Sequence, residues 1–183
     1  AIKIWQEVGW LEEKLDEKLN KVLLSFFNTA DSYTAEINGE AECLINMHPA
    51  KMKYQDEDID LCAVTGVTVS RIARKQNIAT RLLAQALSEA AGKGYIAAGL
   101  GIFDQGFYNR LGFGNSPYTN WINFSPSNLN VKSSKQIPSR LDYKDYKKIH
   151  KSRINRLRNH GSVNILPVES SQIEMAFSKN FFG

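Results

Sequence analysis

A chain of 183 residues with 43% hydrophobic and 23% charged residues, 12 Gly and only 5 Pro suits one ordinary domain, or one domain and part of a second. It falls outside the disordered, collagen-like and disulfide-rich classes. No apolar run reaches the roughly 20 residues of a membrane span, and the opening AIKIWQEVGW lacks the build of a signal peptide, so a soluble, cytoplasmic protein is expected.

In chain order, Val8, Leu11, Leu15, Leu19, Val22, Leu23 and Phe26 recur at steps of three and four among charged residues, which predicts an amphipathic helix or a helix pair packed on a sheet. SYTAEINGEAECLINMHP follows, with β-compatible residues on both sides of Asn38-Gly39. That dipeptide accepts the positive φ angles of a two-residue hairpin turn, so an antiparallel hairpin is expected. Ile59 to Val69 is nearly continuous in β-branched and small apolar residues, as a central strand buried on both faces would be.

Ala79, Leu82, Leu83, Ala86, Leu87 and Ala90 then line one face of a helix that Gly92 or Gly94 ends. YIAAGLGI (95–102) predicts a second buried strand, parallel to the first because the intervening helix makes a crossover. FDQGFYNRLGF predicts a short helix stopped at Gly112, and Tyr118 to Phe124 a further strand. The polar stretch 125–134 marks a boundary, after which Tyr143, Tyr146, Ile149, Ile154 and Leu157 resume a helical pattern within Asp142 to Asn159.

The net charge of +4 divides unevenly, with 12 Lys+Arg against 15 Asp+Glu over residues 1–124 and 11 against 4 over 125–183. A basic tail carrying Lys144, Lys147, Lys148, Lys151, Arg153, Arg156 and Arg158 can attract an acidic partner, although a solvated helix face is the plainer reading. No RNP-like aromatic pattern, zinc-finger spacing or zipper accompanies it, so nucleic acid is not the expected partner. Cys43 and Cys62 stand apart on apolar stretches and read as buried thiols. His48, His150 and His160 have no partner at metal or triad spacing, and no metal site is expected.

Chemistry concentrates after the central strand. A strand, a basic turn at Arg74, Lys75 and Gln76, and a helix opening with the small residues Ala79 and Thr80 is an arrangement able to bind a pyrophosphate. Backbone N–H groups at a helix N-terminus are unpaired and the helix dipole favours an anion there. On its own such a turn reads equally well as a solvated loop.

The stretch Val69-Ser70-Arg71-Ile72-Ala73-Arg74-Lys75-Gln76-Asn77-Ile78-Ala79 resembles the acetyl-CoA motif V-x-P-x-x-[RQ]-x-x-G-x-[GA] of the GCN5-related N-acetyltransferase (GNAT) family. Tyr108-Asn109-Arg110-Leu111-Gly112-Phe113 is similar to that family's second landmark, an aromatic-x-x-[LF]-G-[FY] box. FDQGFYNRLGFG, with its Arg110, further resembles the Eis-like (enhanced intracellular survival) subgroup. Residues 33–124 carry the resemblance well, and IPSRLDYKDYKKIHKSR is similar to the opening of that subgroup's second domain. Asn77 stands for the usual Gly, tolerable because Asn enters left-handed conformations readily, and Arg71 stands for Pro.

The resemblance implies an α/β (α+β) fold, a mixed and mostly antiparallel sheet with a splayed parallel strand pair and flanking helices. It implies a GNAT domain over 1–124, with 125–183 as a basic segment opening a second unit. It also implies an N-acetyltransferase using acetyl-CoA on an amine acceptor. Val67, Thr68 and Val69 would meet the pantetheine arm through their backbone, and Arg74, Lys75, Gln76, Asn77, Ala79 and Thr80 would surround the pyrophosphate. Tyr108 is the candidate general acid, because a phenol can give its proton to a leaving thiolate of similar basicity. Ala63 stands where some members carry a Glu base, which leaves water, Asp60 or Asp104 as proton acceptor. The rival reading is a degenerate acetyltransferase fold that binds an acidic partner through its basic tail. Whether the protein forms a homo-oligomer is open at this stage.

Overall fold

The computed structural model describes residues 1–102, 106–115, 122–130, 132, 137 and 139–178. Its centre is a long hairpin. Strand β1 (Asp31–Ile37) turns through Asn38 (φ +52°) and Gly39 (φ +81°) into β2 (Glu40–Tyr54), and β2 runs antiparallel into β3 (Glu57–Val69). Two successive positive φ angles are what a two-residue hairpin needs, so Asn38-Gly39 sets this register as expected. Strand β4 (Ala97–Gly99) lies parallel to β3, and a fifth strand, β5 (Val163–Ile165), pairs antiparallel with β2 beyond the end of β1. Among the described residues the sheet order is therefore β1-β2-β3-β4, with β5 continuing the β1 edge.

Helices cover both faces. α3 (Ile78–Gly92) is the crossover between β3 and β4, and it buries Leu83, Ala86 and Ala90 against Ile45, Met47, Cys62 and Val64. The opposite face receives α1 (Ile2–Glu7) and α2 (Glu17–Phe27), a helix pair, with Ile4, Trp5, Leu11 and Leu23 packed around Leu44. The two clusters follow from the strand period of two: Ile45 and Met47 point to one side, Leu44 and Asn46 to the other. Asp16 starts α2 by accepting from the Leu19 N–H at 2.6 Å, an N-cap contact worth about 1 kcal/mol. Cys43 and Cys62 are both buried and free, and burial pushes each thiol up to about 11.

The C-terminal segment returns to this body. A short 3-10 turn, capped by Asp142 and Asp145 reciprocally, leads into α4 (Tyr146–Asn155), then β5, then α5 (Glu169–Phe177), whose Met175 is buried. Arg158 donates to both carboxylate oxygens of Asp58 at 2.6 Å, and the Gly161 N–H donates to the Lys53 carbonyl at 2.7 Å. These contacts hold the start of β5 against the β2–β3 turn. No described helix is long and apolar enough to cross a membrane.

Three expectations need correcting. The strand predicted over 95–102 is confined to Ala97–Gly99, because its hydrogen bonding ends where the chain leaves β3. Of the strand predicted over 118–124, residues 122–124 are not extended into a sheet, and the rest lies outside the described residues. The short helix predicted before Gly112 is a 3-10 turn, Tyr108–Leu111, and Gly112 closes it at φ +86°.

Candidate active site

The site begins with a bulge. On β2, Leu44 and Asn46 are two residues apart, yet their β3 partners Thr68 and Thr65 are three apart, so β3 carries one extra residue. Gly66 accommodates it at φ +62°. A Cβ there would lie 2.8 Å from Asn46 Nδ2 and 2.8 Å from Trp5 Cζ2, so only glycine fits. A bulge bends its strand and sharpens the local twist. Trp5 fixes the bend by donating from Nε1 to Thr68 Oγ1 at 2.9 Å, and that hydroxyl donates on to the Gly66 carbonyl at 2.6 Å.

The bend opens a gap. Parallel pairing of β3 with β4 covers only Leu61–Ala97, Cys62–Ala98 and Ala63–Gly99. From Val64 to Val69 the same edge of β3 has no strand partner among the described residues, so its backbone groups are available to an extended ligand.

At the far end of that edge the chain enters the basic turn. Lys75 (φ +61°) and Asn77 (φ +60°) are both left-handed, and Asn77 is followed directly by helical Ile78. A left-handed residue followed by a right-handed one turns successive N–H groups towards one point, a concavity suited to an anion. Asn77 caps α3 without a side-chain hydrogen bond, and the Arg81 N–H is the first to close a helical turn, on the Asn77 carbonyl at 3.2 Å. The N–H groups of Ile78, Ala79 and Thr80 thus precede the helical ladder. Val69, Arg74, Lys75, Asn77, Ala79 and Thr80 line one hollow of about 340 Å³, together with Phe107 and Arg110.

A larger cavity of about 670 Å³ occupies the gap itself. Val64, Tyr108 and Phe113 wall it on the α3 side, and Leu61, Ala63 and Ile165 wall it on the other. Tyr108 is half-buried, its ring edge-on to Phe107 (5.0 Å) and Phe113 (5.9 Å), and burial raises its phenol above the ordinary 10. A tyrosine so placed stays protonated at neutral pH and can donate.

Of the residues singled out from sequence, this geometry gathers Val69, Arg74, Lys75, Asn77, Ala79 and Thr80 at one hollow and Tyr108 at the adjoining cavity. Val67 lies on the open edge, its side chain packed towards α3. The Thr68 side chain points to the α1 side, bonded to Trp5, so it offers the gap only backbone. The Gln76 side chain donates to the Ile72 carbonyl at 2.8 Å, outside the hollow. Asp60 pairs with Lys51 at 2.7 Å and does not line the cavity, while Asp104 lies outside the described residues. Within the basic tail, Arg153 pairs with Glu174 and Arg158 with Asp58. Sequence reasoning missed Gly66 and the cavity wall formed by Val163 and Ile165. VNIL, a short and mostly apolar run between Gly161 and Pro167, is the available sign of β5.

The family model for the acetyltransferase (GNAT) domain matches residues 2–116. Comparison with curated protein sequences finds no match. Among solved structures, the chain is similar to Eis1 from Mycobacterium abscessus at 18% identity and TM-score 0.63, over 95% of this chain and 43% of that one. It thus spans under half the length of that protein. It is similar to an acetyltransferase from Trypanosoma brucei (13% identity, TM-score 0.52, 67% of this chain and 89% of that one). Glucosamine-6-phosphate N-acetyltransferase from Arabidopsis thaliana is comparable (13%, 0.51, 68% and 88%). At such identities the likeness is one of fold.

Proposed function

Because the chain belongs to the acetyltransferase (GNAT) domain family, we propose that it transfers an acetyl group from acetyl-CoA to a primary amine by direct attack on the thioester. The observation that carries this reading is the continuity of the open β3 edge, Val64 to Val69, with the left-handed turn at the α3 N-terminus. The pantetheine arm takes the place of a missing strand. The pyrophosphate rests on the amides of Ile78, Ala79 and Thr80, with Arg74 and Lys75 supplying charge.

The amine nitrogen forms a bond to the thioester carbon and the carbon–sulfur bond then breaks. The backbone N–H of Val67, or of its neighbour on the open edge, holds the carbonyl oxygen as it becomes negative, a contact worth about 2.7–4 kcal/mol when well aimed. Tyr108 gives its proton to the departing thiolate. The ammonium proton leaves through water, since Ala63 offers no carboxylate at the wall. In this reading residues 1–124 form the catalytic domain, and 125–183 open a second unit that lends β5 to the β2 edge of the first sheet. The Eis-like placement, which rests on the FDQGFYNRLGFG text, belongs to the same proposal. The rival reading, a binding module working through its basic tail, is not favoured: Arg153 and Arg158 are already paired within the fold.

The test is release of free CoA thiol from acetyl-CoA in the presence of a primary amine. Tyr108→Phe is expected to lower kcat about 100-fold or more while leaving the acetyl-CoA Kd within about twofold. A protein that shows no acetyl-CoA binding by calorimetry contradicts the proposal.

A further inference from the structure

The cavity reaches through the sheet, and its two halves differ. On the α3 side lie the basic hollow and Tyr108, which the preceding reading gives to acetyl-CoA. The other half is left for the acceptor. Its wall can be read from register: on β2, Ala50 and Met52 face away from α3, and β5 sets Ile165 opposite Ala50 and Val163 opposite Met52. On β3, Leu61 faces Ala50 in the same way, and Ala63 follows two residues on. Ala50, Leu61 and Ala63 form a buried cluster with Met52 and Ile165 packed on it.

Among the described residues, the side chains on this half are therefore aliphatic or a thioether, apart from the Thr65 hydroxyl, which sits opposite Asn46 on the same face. None of the described residues lining the whole cavity is charged, and Thr65, Tyr108, Asn109 and Asn115 are its polar members. Such a wall removes apolar surface from water but offers no counter-ion to a second ammonium, which is costly to desolvate unpaired. A site built for polycationic amines would need carboxylates here.

Resting on the acetyl-transfer reading, we propose that the acceptor is a primary amine carried on an apolar scaffold, an alkylamine or arylalkylamine with one positive charge, and that β5 of the C-terminal segment supplies its specificity wall. The amine nitrogen reaches the gap beside Ala63 while the apolar body lies against Met52, Leu61, Val163 and Ile165.

A matched pair of acceptors tests this: hexylamine, and cadaverine, in which an ammonium replaces the terminal methyl. Thiol release with both amines is compared in the intact protein and in Val163→Asp and Ile165→Asp, with the acetyl-CoA Kd measured on each by calorimetry. The expected kcat/KM favours hexylamine by more than about tenfold. The variants should narrow or invert that preference while their acetyl-CoA Kd stays unchanged, which also shows that they fold. Val163 is the more exposed of the two and guards against an unfolded Ile165 variant. Preference for cadaverine, turnover of neither amine by protein that binds acetyl-CoA, or a preference untouched by both variants overturns the inference. Loss of acetyl-CoA binding in the unaltered protein would instead remove the underlying acetyl-transfer reading.

Discussion

His48 is fully buried on the α2 side of the sheet, stacked on Phe26 at 4.3 Å, with Nδ1 3.3 Å from Thr29 Oγ1. Its Nε2 has no partner among the described residues. Burial lowers its pKa from 6.5 to about 4, against a smaller opposing effect from a hydrogen bond at Thr29. Between those values the unfolded chain binds a proton that the folded chain refuses. Stability is thus full above about pH 6.5 and falls as pH drops towards 4, by up to about 3 kcal/mol. Urea midpoints at pH 7 and pH 5 measure this, and His48→Phe should remove most of the His48 share of the slope. Identical slopes in the two proteins would contradict it. Legibility at this scale was uneven. Asn77 and Tyr108 could be named because their motifs are local in sequence. The burial of His48 and the crowding at Gly66 depend on α2 and α1 packing across the sheet, which adjacent residues do not encode.

Among the elements, β3 decides the site because its bulge ends pairing with β4 after Ala63 and Gly99. Gly66→Ala should cost more than Gly39→Ala. Both positions are left-handed, at about 1–2 kcal/mol for a side chain, but only at Gly66 would the new Cβ meet Asn46 and Trp5 at 2.8 Å; at Gly39 it meets open space. Urea denaturation of the two variants decides it, equal losses arguing against a bulge held by Trp5 and Asn46. The hairpin, the central strand and the α3 crossover were all readable from Asn38-Gly39, the β-branched run and the helical period. The shortness of β4 was not, since YIAAGLGI is apolar throughout and composition does not record where a neighbouring strand bends away.

At the scale of the molecule, the N-terminal helices and the described C-terminal segment meet at the same sheet. α1 and α2 cover one face and brace the bulge through Trp5, while β5 extends the β1 edge and α5 packs back beside α2. The basic segment is partly folded into this closure through Arg153 with Glu174 and Arg158 with Asp58, pairs that orient β5 more than they stabilise it. From sequence the segment could be seen as basic and partly helical. Its return to the first sheet could not, because a three-residue strand has too little text to carry a pairing signal.

The most direct test is an amide NMR titration of the isotope-labelled protein with acetyl-CoA. The account predicts that the largest shifts fall on residues 64–69 and on 77–80, the open strand edge and the start of α3. Shifts confined to the basic stretch 144–158, with both of those segments unmoved at saturation, would contradict it.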